Sequence, residues 1–504
     1  MSRWSASLTR LRQSLDSPGE DLASRVVHGG LWTVVQKSSD RALGFIRTIV
    51  LARLLAPHDF GLFGIALVTQ ATIDTVLEFG VDAALVQREE GASEYLNAAW
   101  TIRVTKSLIV ALTLILLAPL AAGFFHAPRA VSLIRVLALV VTLRGFQNVG
   151  VVYFRKELEI RKQFLLGFGS ALAATAAAIA LALVLGSVWA LMAGLLVGAA
   201  AQLVLSYVLH PYRPWFEFDF GKIRELWRFG KWLFGSSTLN FAAVQGDDIL
   251  LGRWLGAASL GLYQIAYRIS NAVATEVTHV ISGVTFPAYS KLQSRPDALR
   301  RAFLDTLSVT MSLVVPLAAA IALFIPQFVH YIIGDKWLGI VTPVRVLAAA
   351  GLLRAMSACW GPLYMARGRT EKPFWKQLMR AVLTLAPAYP MAMRYGVTGV
   401  SACVVLGISA ALTYDLLWSG TAEELGVGIR EIVTRMLAPG VGTICAWSIG
   451  GLLAVYIPRG FLWFLGEITL YGVAYGTALL VLEHGGWVTG WGGLRTLWAR
   501  AGAS

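Results

Sequence analysis

Apolar runs long enough to cross a lipid bilayer follow one another almost without pause through this chain, and that succession leaves few folds open to it. Each crossing needs about 20 mainly apolar residues. Inside hydrocarbon every backbone N–H and C=O must be satisfied, which permits only helices or closed barrels, and runs of this length are helical. The spacing predicts 14 helices: 28 to 54, 61 to 86, 98 to 124, 130 to 153, 164 to 186, 188 to 209, 230 to 252, 259 to 288, 303 to 325, 340 to 365, 375 to 393, 398 to 419, 432 to 456 and 461 to 483. Composition agrees, because 57% of the 504 residues are apolar and 14% charged, whereas soluble domains carry about a quarter charged residues. The expected fold class is an all-α polytopic membrane protein.

The distribution of lysine and arginine sets the expected orientation. With the N-terminus in the cytoplasm, the alternate loops that share its side carry RKELEIRK (155 to 162), PYRPWFEFDFGKIRELWRFGK (211 to 231), KLQSRPDALRR (291 to 301) and ARGRTEKPFWK (366 to 376). This positive-inside bias puts both termini in the cytoplasm and accounts for the formal net charge of +14, so no nucleic-acid partner is expected. Residues 1 to 27 lack the apolar stretch of about 7 to 15 residues that a cleaved signal requires, and read as a cytoplasmic tail. Cys359, Cys403 and Cys445 fall within predicted spans without metal-ligand spacing, so they read as small packing residues and no metal site is expected. The external loops are short, the longest being an aromatic-rich interfacial turn around IPQFVHYIIGDKW (325 to 337).

An internal duplication constrains the topology further. LARLLAPHDFGLFGIA (51 to 66) recurs as LGRWLGAASLGLYQIA (251 to 266), with Leu51/Leu251, Arg53/Arg253, Leu55/Leu255, Gly61/Gly261, Leu62/Leu262, Ile65/Ile265 and Ala66/Ala266 identical. The interval holds an even number of spans, so the copies run parallel about an axis along the membrane normal, an arrangement found in transporters. The expected organisation is an N-lobe at 28 to 210, a cytoplasmic linker at 211 to 229, a C-lobe at 230 to 420, an accessory helix pair at 421 to 484 and a cytoplasmic tail at 485 to 504. Each repeated stretch reads as the end of one helix, a tight external turn and the start of the next. Pro57 and Asp59 suit that turn in the first copy, and Gly256 to Ser259 in the second.

Charges within the spans carry the chemistry. An ionised group at bilayer depth costs at least about 2.5 to 3.5 kcal/mol, so these side chains line a wet interior or pair with one another. On the first helix Lys37, Asp40, Arg41, Gly44, Arg47 and Thr48 fall on one face. Gln70, Asp74 and Glu78 follow on the second, Arg103 and Lys106 on the third, and Arg144, Gln147 and Asn148 share a face on the fourth. The second lobe supplies Asn240, Asp247 and Asp248, then Arg268, Asn271, Thr275 and His279, then Arg345 and Arg354.

Plainer roles stay open for many of these. Arg103, Lys106, Arg135 and Arg380 lie near enough to helix ends to snorkel. Asp40, Asp74 and Glu78 can neutralise Arg41 and Arg47 as structural ion pairs. Asp247 and Asp248 can cap or pair near the outer end of their helix, His279 suits hydrogen-bonded packing, and Arg53 and Arg253 suit interfacial anchors. Within the spans cations still outnumber acids, and the balance favours an anionic guest held by arginine forks over an organic cation. Trp32, Phe146, Tyr153, Tyr263, Tyr267, Trp360 and Tyr364 interleave with the polar groups and suit either sugar faces or packing.

The segments GLWTVVQKSSDRALGFIRTIVLARLLAPHDFGLFGIALVTQATIDTVLEFG (30 to 80), ILLGRWLGAASLGLYQIAYRI (249 to 269) and VTFPAYSKLQ (284 to 293) resemble the Wzx-type oligosaccharide and polysaccharide flippase family. That family belongs to the multidrug/oligosaccharidyl-lipid/polysaccharide (MOP) exporter superfamily, and the chain is most similar to its teichuronic and colanic acid exporter branch. The resemblance implies a MATE-like fold of two pseudo-symmetric six-helix lobes plus an accessory pair, with alternating access to a cationic lumen. It implies an undecaprenyl-diphosphate-linked oligosaccharide as substrate, flipped across the bacterial cytoplasmic membrane for lipopolysaccharide or exopolysaccharide assembly. A polysaccharide polymerase and its assembly machinery are the implied partners, with a monomeric transporter and no cofactor.

The lumen candidates are Lys37, Arg41, Arg47, Arg144, Arg268, Arg345 and Arg354, and the coupling-ion candidates Asp40, Asp74, Glu78, Asp247 and Asp248. A related lipid II flippase uses an arginine followed by an aspartate on its first helix, whereas Asp40 and Arg41 stand here in the opposite order. A MATE-like drug or ion antiporter is the second reading. A membrane glycan polymerase or glycosyltransferase is the third, and it wants a sizeable external loop with acidic or arginine motifs, which the sequence lacks. No catalytic residue is expected.

Overall fold

The computed structural model describes residues 39–77, 95–157, 159–369, 371–418, 425–454 and 460–484. Every regular element among them is helical. In chain order these are α1 (39–54), α2 (Pro57–Val76), α3 (Leu96–Phe124), α4 (Ala130–Gly145), α5 (Ile160–Leu185) and α6 (Trp189–Leu209). A helical stretch Phe220–Leu292 is broken at Gly256 (φ 81°, ψ 178°) into α7 (220–255) and α8 (257–292). Then come α9 (Pro296–Phe328) and α10 (Val341–Ala358, continued by Trp360–Ala366). The helix α11 (Glu371–Leu385, continued through 388–395) turns at Gly396 into α12 (397–413), and α13 (Ile429–Ala454) and α14 (Phe461–His484) close the series. Seven of them combine spanning length with apolar composition: α3, α5, α6, α9, α10, α12 and α14. The helices that flank the repeated turns, α1, α2, α7 and α8, are not in that group as far as their residues are described, and each carries charge within its predicted span.

The chain forms two compact units, Met1–Phe241 and Ala242–Ser504. In the first, α5 and α6 approach closely, because Gly194 and Gly198 of α6 face Ala174 and Ala178 of α5. A Cβ on Gly194 would stand 2.7 Å from the Ala178 Cβ and 2.9 Å from the Ala174 carbonyl oxygen, so only a bare backbone fits. Lipid is as apolar as the side chains, so such small-residue contact replaces the hydrophobic effect between spans.

The repeated turn is built differently in its two copies. In the first, Pro57 opens α2, the Ala56 N–H donates to Asp59 Oδ2 (3.1 Å), and Asp59 Oδ1 accepts from the Val188 N–H (3.2 Å) at the start of α6. One carboxylate therefore caps its own helix and ties the turn to another. In the second copy Gly256 takes a conformation open essentially only to glycine and reverses the chain. The Tyr263 hydroxyl then donates across the reversal to Asp247, which makes α7 and α8 a hairpin.

In the second unit a buried core gathers Phe303, Leu307 and Met311 of α9 around Trp360 and Leu363 of α10 and Tyr289 of α8. The final pair, α13 and α14, docks on α9. Tyr471 donates to the Pro316 carbonyl (2.9 Å) and Tyr475 to that of Ser312 (2.7 Å), while Arg300 of α9 pairs with Glu431 of α13 (2.8 Å).

Three expectations change. The fourth helix does not run to 153: it stops at Gly145, and Gln147 and Asn148 stand in the break beyond it, so they share no helical face with Arg144. Asn148 causes the break. Its backbone is extended, its Oδ1 accepts from the Gly150 N–H (2.9 Å), and its Nδ2 donates to the Tyr212 carbonyl (2.6 Å). The linker is shorter than 211 to 229, because helix resumes at Phe220. The turn around 325 to 337 is less interfacial than expected: Trp337 has no exposed surface and belongs to the core.

Candidate functional site

Lys37, Glu78 and Trp32 lie outside the described residues, as do the side chains of Asn240 and His279. The remaining candidates fall into one group in each unit.

In the first unit α1 presents Asp40, half-buried with Oδ1 lacking a hydrogen-bond partner among the described residues, and Arg41, which is exposed. Two turns on, Arg47 is half-buried beside Thr48, whose hydroxyl donates to the Gly44 carbonyl (2.8 Å). On α2 Gln70 donates to Asp74 Oδ2 (3.1 Å), and the Asp74 carboxylate acts electrostatically on Arg144 at the end of α4. Among the described residues neither Arg47 nor Arg144 makes a hydrogen bond or an ion pair, so both guanidinium groups keep their donors.

The second unit builds a connected polar cluster from α7, α8, α10 and α11. Asp247 is buried and accepts from the Tyr263 hydroxyl and from the Asp248 N–H (3.0 Å). Tyr263 and Tyr267 lie one helical turn apart with ring centroids 6.0 Å from each other. Arg354 of α10 donates through Nη1 to the Tyr267 hydroxyl (2.6 Å) and to Asn271 Oδ1 (2.7 Å), with its guanidinium carbon 5.2 Å from the Tyr267 ring centroid. Arg380 of α11 interacts electrostatically with Arg354, Asp247 and Tyr263. Arg380 therefore joins this cluster, where snorkelling to an interface was one expectation for it. Two guanidinium groups share the cluster with two carboxylates, Asp247 and Asp248, and Asp248 Oδ1 and Arg354 Nε are buried without partners among the described residues. Such a cluster can hold an anion between its arginines and a proton or cation at its acids.

Not every candidate joins these groups. Arg345 precedes Arg354 by nine residues, which at about 100° per residue puts it on the opposite face of α10. Its Nε donates to the Ala322 carbonyl of α9 (3.0 Å). Arg268 follows Tyr267 on α8 and is exposed. Trp360 is a buried packing residue, and the buried Tyr364 bonds Asp415 outside the cluster.

A further ionic centre escaped sequence reasoning. Asp415, with no exposed surface, pairs with Lys376 (2.6 Å) and accepts from Ser357 (2.5 Å) and Tyr364 (2.8 Å). Lys376 also donates to the Ser357 carbonyl (3.0 Å). Lys376 read as part of a basic loop, and only Asp415, an acid within the last turns of an apolar span, signalled that a cation had to lie opposite.

Known proteins match this chain in sequence and in fold. A sequence profile described as "Polysaccharide biosynthesis protein" matches residues 50–342. The chain is 26% identical over 422 residues to the lipopolysaccharide biosynthesis protein WzxC of Escherichia coli, covering 83% of this chain and 85% of that one. It is 26% identical over 353 residues to the succinoglycan biosynthesis transport protein ExoT of Rhizobium meliloti, covering 70% and 72%. Among solved structures, the lipid II flippase MurJ in an inward closed conformation superposes with a TM-score of 0.71 at 11% identity, over 90% of this chain and 99% of that one. An inward-facing multidrug resistance MATE family transporter of the MOP superfamily gives 0.59 at 20% identity, over 75% and 93%. The protein is thus a multi-pass, all-helical membrane protein with the fold of the MOP superfamily. Within that class, the chain belongs to the polysaccharide biosynthesis protein family.

Proposed function

We propose that this protein flips a polyprenyl-diphosphate-linked oligosaccharide, the precursor of a surface polysaccharide, across the bacterial cytoplasmic membrane. The observation that carries this reading is the surplus of arginine within the spans of a chain whose relatives are named for polysaccharide biosynthesis and transport. Arg41, Arg47 and Arg144 in the N-lobe and Arg354 in the C-lobe attract the diphosphate, while the polyprenyl tail stays in lipid. Rocking of an N-lobe (28 to 210) against a C-lobe (230 to 420) then exposes the sugar to the other side.

The chain performs this work as a transporter without catalysis, with both termini in the cytoplasm and as a monomer that delivers to a polysaccharide polymerase. Asp40, Asp74, Asp247 and Asp248 are the groups that a coupling ion would neutralise. The unpartnered buried oxygens of Asp40 and Asp248 support that assignment. A drug-cation antiporter wants net negative walls, and the arginines argue against it.

Replacing Arg41 and Arg47 together by alanine is expected to abolish surface glycan assembly in cells, and translocation of lipid-linked sugar in proteoliposomes, with protein levels unchanged. Undiminished glycan in that double variant would remove the N-lobe arginines from the substrate path.

A further inference from the structure

Between α4 and α6 the first unit carries an apolar groove of about 670 Å³ that is open to the side. Leu143 of α4 and Phe146 just beyond its end form one wall, and Leu203, Val204 and Val208 of α6 the other. Val204 and Val208 are 60% and 72% exposed, which on a helix as apolar as α6 means contact with lipid chains.

The end of the groove is polar and held in place. Tyr207 closes it by donating to the Phe146 carbonyl (3.0 Å), and the Arg213 guanidinium carbon lies 5.7 Å from the Tyr207 ring centroid. Arg213 Nη1 donates to the carbonyls of His210 (2.8 Å) and Tyr212 (2.9 Å). The segment that bears Arg213 is itself pinned: Tyr212 and the Trp215 N–H both bond Asn97 Oδ1 (2.6 and 3.0 Å), and the Glu217 N–H bonds the Thr101 hydroxyl (2.9 Å). The Nε and Nη2 hydrogens of Arg213 have no partner among the described residues, and the side chain is exposed. Beside it Trp215 and Phe218, 77% and 65% exposed, mark the depth at which aromatic rings meet lipid headgroups.

We propose that this groove is a lipid site, taking one acyl chain of an anionic glycerophospholipid whose phosphodiester is bound by the free edge of Arg213. A single guanidinium fork fixed at headgroup depth matches one phosphate, and an apolar channel leading from it along the helices matches a chain. Arg213 is the one cation among the residues that line the groove, against the two phosphates of a polyprenyl diphosphate. The assignment needs only the membrane class of the protein, so it stands apart from the choice of transported substrate.

Native mass spectrometry of the purified full-length protein tests it, with dioleoylphosphatidylglycerol, dioleoylglycerol and undecaprenyl diphosphate as probes in separate titrations. The wild type is expected to retain phosphatidylglycerol, and Arg213→Ala to bind it about tenfold more weakly, the loss expected for charge-assisted hydrogen bonds. Val208→Trp, an exposed position that tolerates bulk in the fold, fills the groove and is expected to weaken binding as well. Dioleoylglycerol, with the same chains and no phosphate, is expected to bind at the Arg213→Ala level. Three results would each overturn the proposal: undiminished phosphatidylglycerol binding by Arg213→Ala, equal binding of the two dioleoyl probes, or tighter Arg213-dependent binding of undecaprenyl diphosphate.

Discussion

Asp415 anchors an ion pair from a position sealed from solvent. Its carboxylate meets Lys376, Ser357 and Tyr364, so removing its charge strands a largely buried ammonium. Breaking a buried pair from one side costs about 3 to 5 kcal/mol, whereas replacing both partners by apolar groups is often neutral. Asp415→Ala is therefore expected to lower the thermal unfolding midpoint in detergent sharply, and Lys376→Met with Asp415→Leu to restore most of it. A double variant as unstable as the single one would mean that packing, not charge, sets the cost.

His210 offers a second test at this scale. Burial first, then the Lys162 ammonium, pushes its imidazole below the ordinary histidine range, with Arg213 acting in the same direction and Glu159 and Glu157 against it. The neutral ring is needed because Nδ1 accepts from the Tyr212 N–H (3.2 Å). The folded state thus holds this proton less readily than the unfolded chain. Stability from His210 is full above about pH 6.5 and is lost as pH falls below that value. Unfolding midpoints measured between about pH 7.5 and 5.5 should fall for the wild type and fall less for His210→Gln; equal slopes would assign the titration elsewhere. Residues that pair across elements, such as Lys376 with Asp415, were the least legible in the sequence. Periodicity assigns a face on one helix and says nothing of which helix lies opposite.

Whole elements were far more legible, because hydrocarbon demands about 20 apolar residues per crossing and a turn between crossings. The positions of α5, α6, α9 and α14 follow directly from that demand. The departures are instructive. The helix α4 ends early because Asn148 offers its neighbours a side-chain amide that competes with the helical backbone. The helix α7 begins early because RELWRFGK is amphipathic, so its polar half read as linker although it folds as helix. Small-residue spacing was legible and went unused: Gly194 and Gly198 form a GxxxG pair set against Ala174 and Ala178. Gly194→Val would drive a side chain into the Ala174 carbonyl. It is expected to destabilise the first unit by at least about 1 to 3 kcal/mol, read as loss of monodisperse protein on size exclusion, while Gly440→Val, with no atom within 4 Å of its Cβ position, should be tolerated.

At the scale of the molecule, the duplication at 51 and 251 was the most informative mark in the chain, and its two copies are built by unlike means. A capped, cross-braced turn held by Asp59 stands in one unit and a glycine reversal at Gly256 in the other. Sequence similarity could report that both turns exist, but not that one is braced to another helix through Asp59 and the other across its own hairpin through Tyr263 and Asp247. The fastening bond joins residues 59 and 188, which no local pattern connects.

The charge gathered on α1, α2, α7 and α8 also bears on how such a chain is made. Each of these helices leaves the ribosome before the neighbours that will shelter it, and each charge at bilayer depth opposes its partition by about 2.5 to 3.5 kcal/mol. The tight turns at 55–56 and at Gly256 join them in pairs. Two reluctant helices can therefore enter the membrane together as one hairpin, and the apolar α3 and α9 that follow serve as anchors. Synthesis alternates between segments that insert unaided and segments that must wait for company at the insertion machinery. The helices that carry the most charge into the membrane are the hardest to deliver to it.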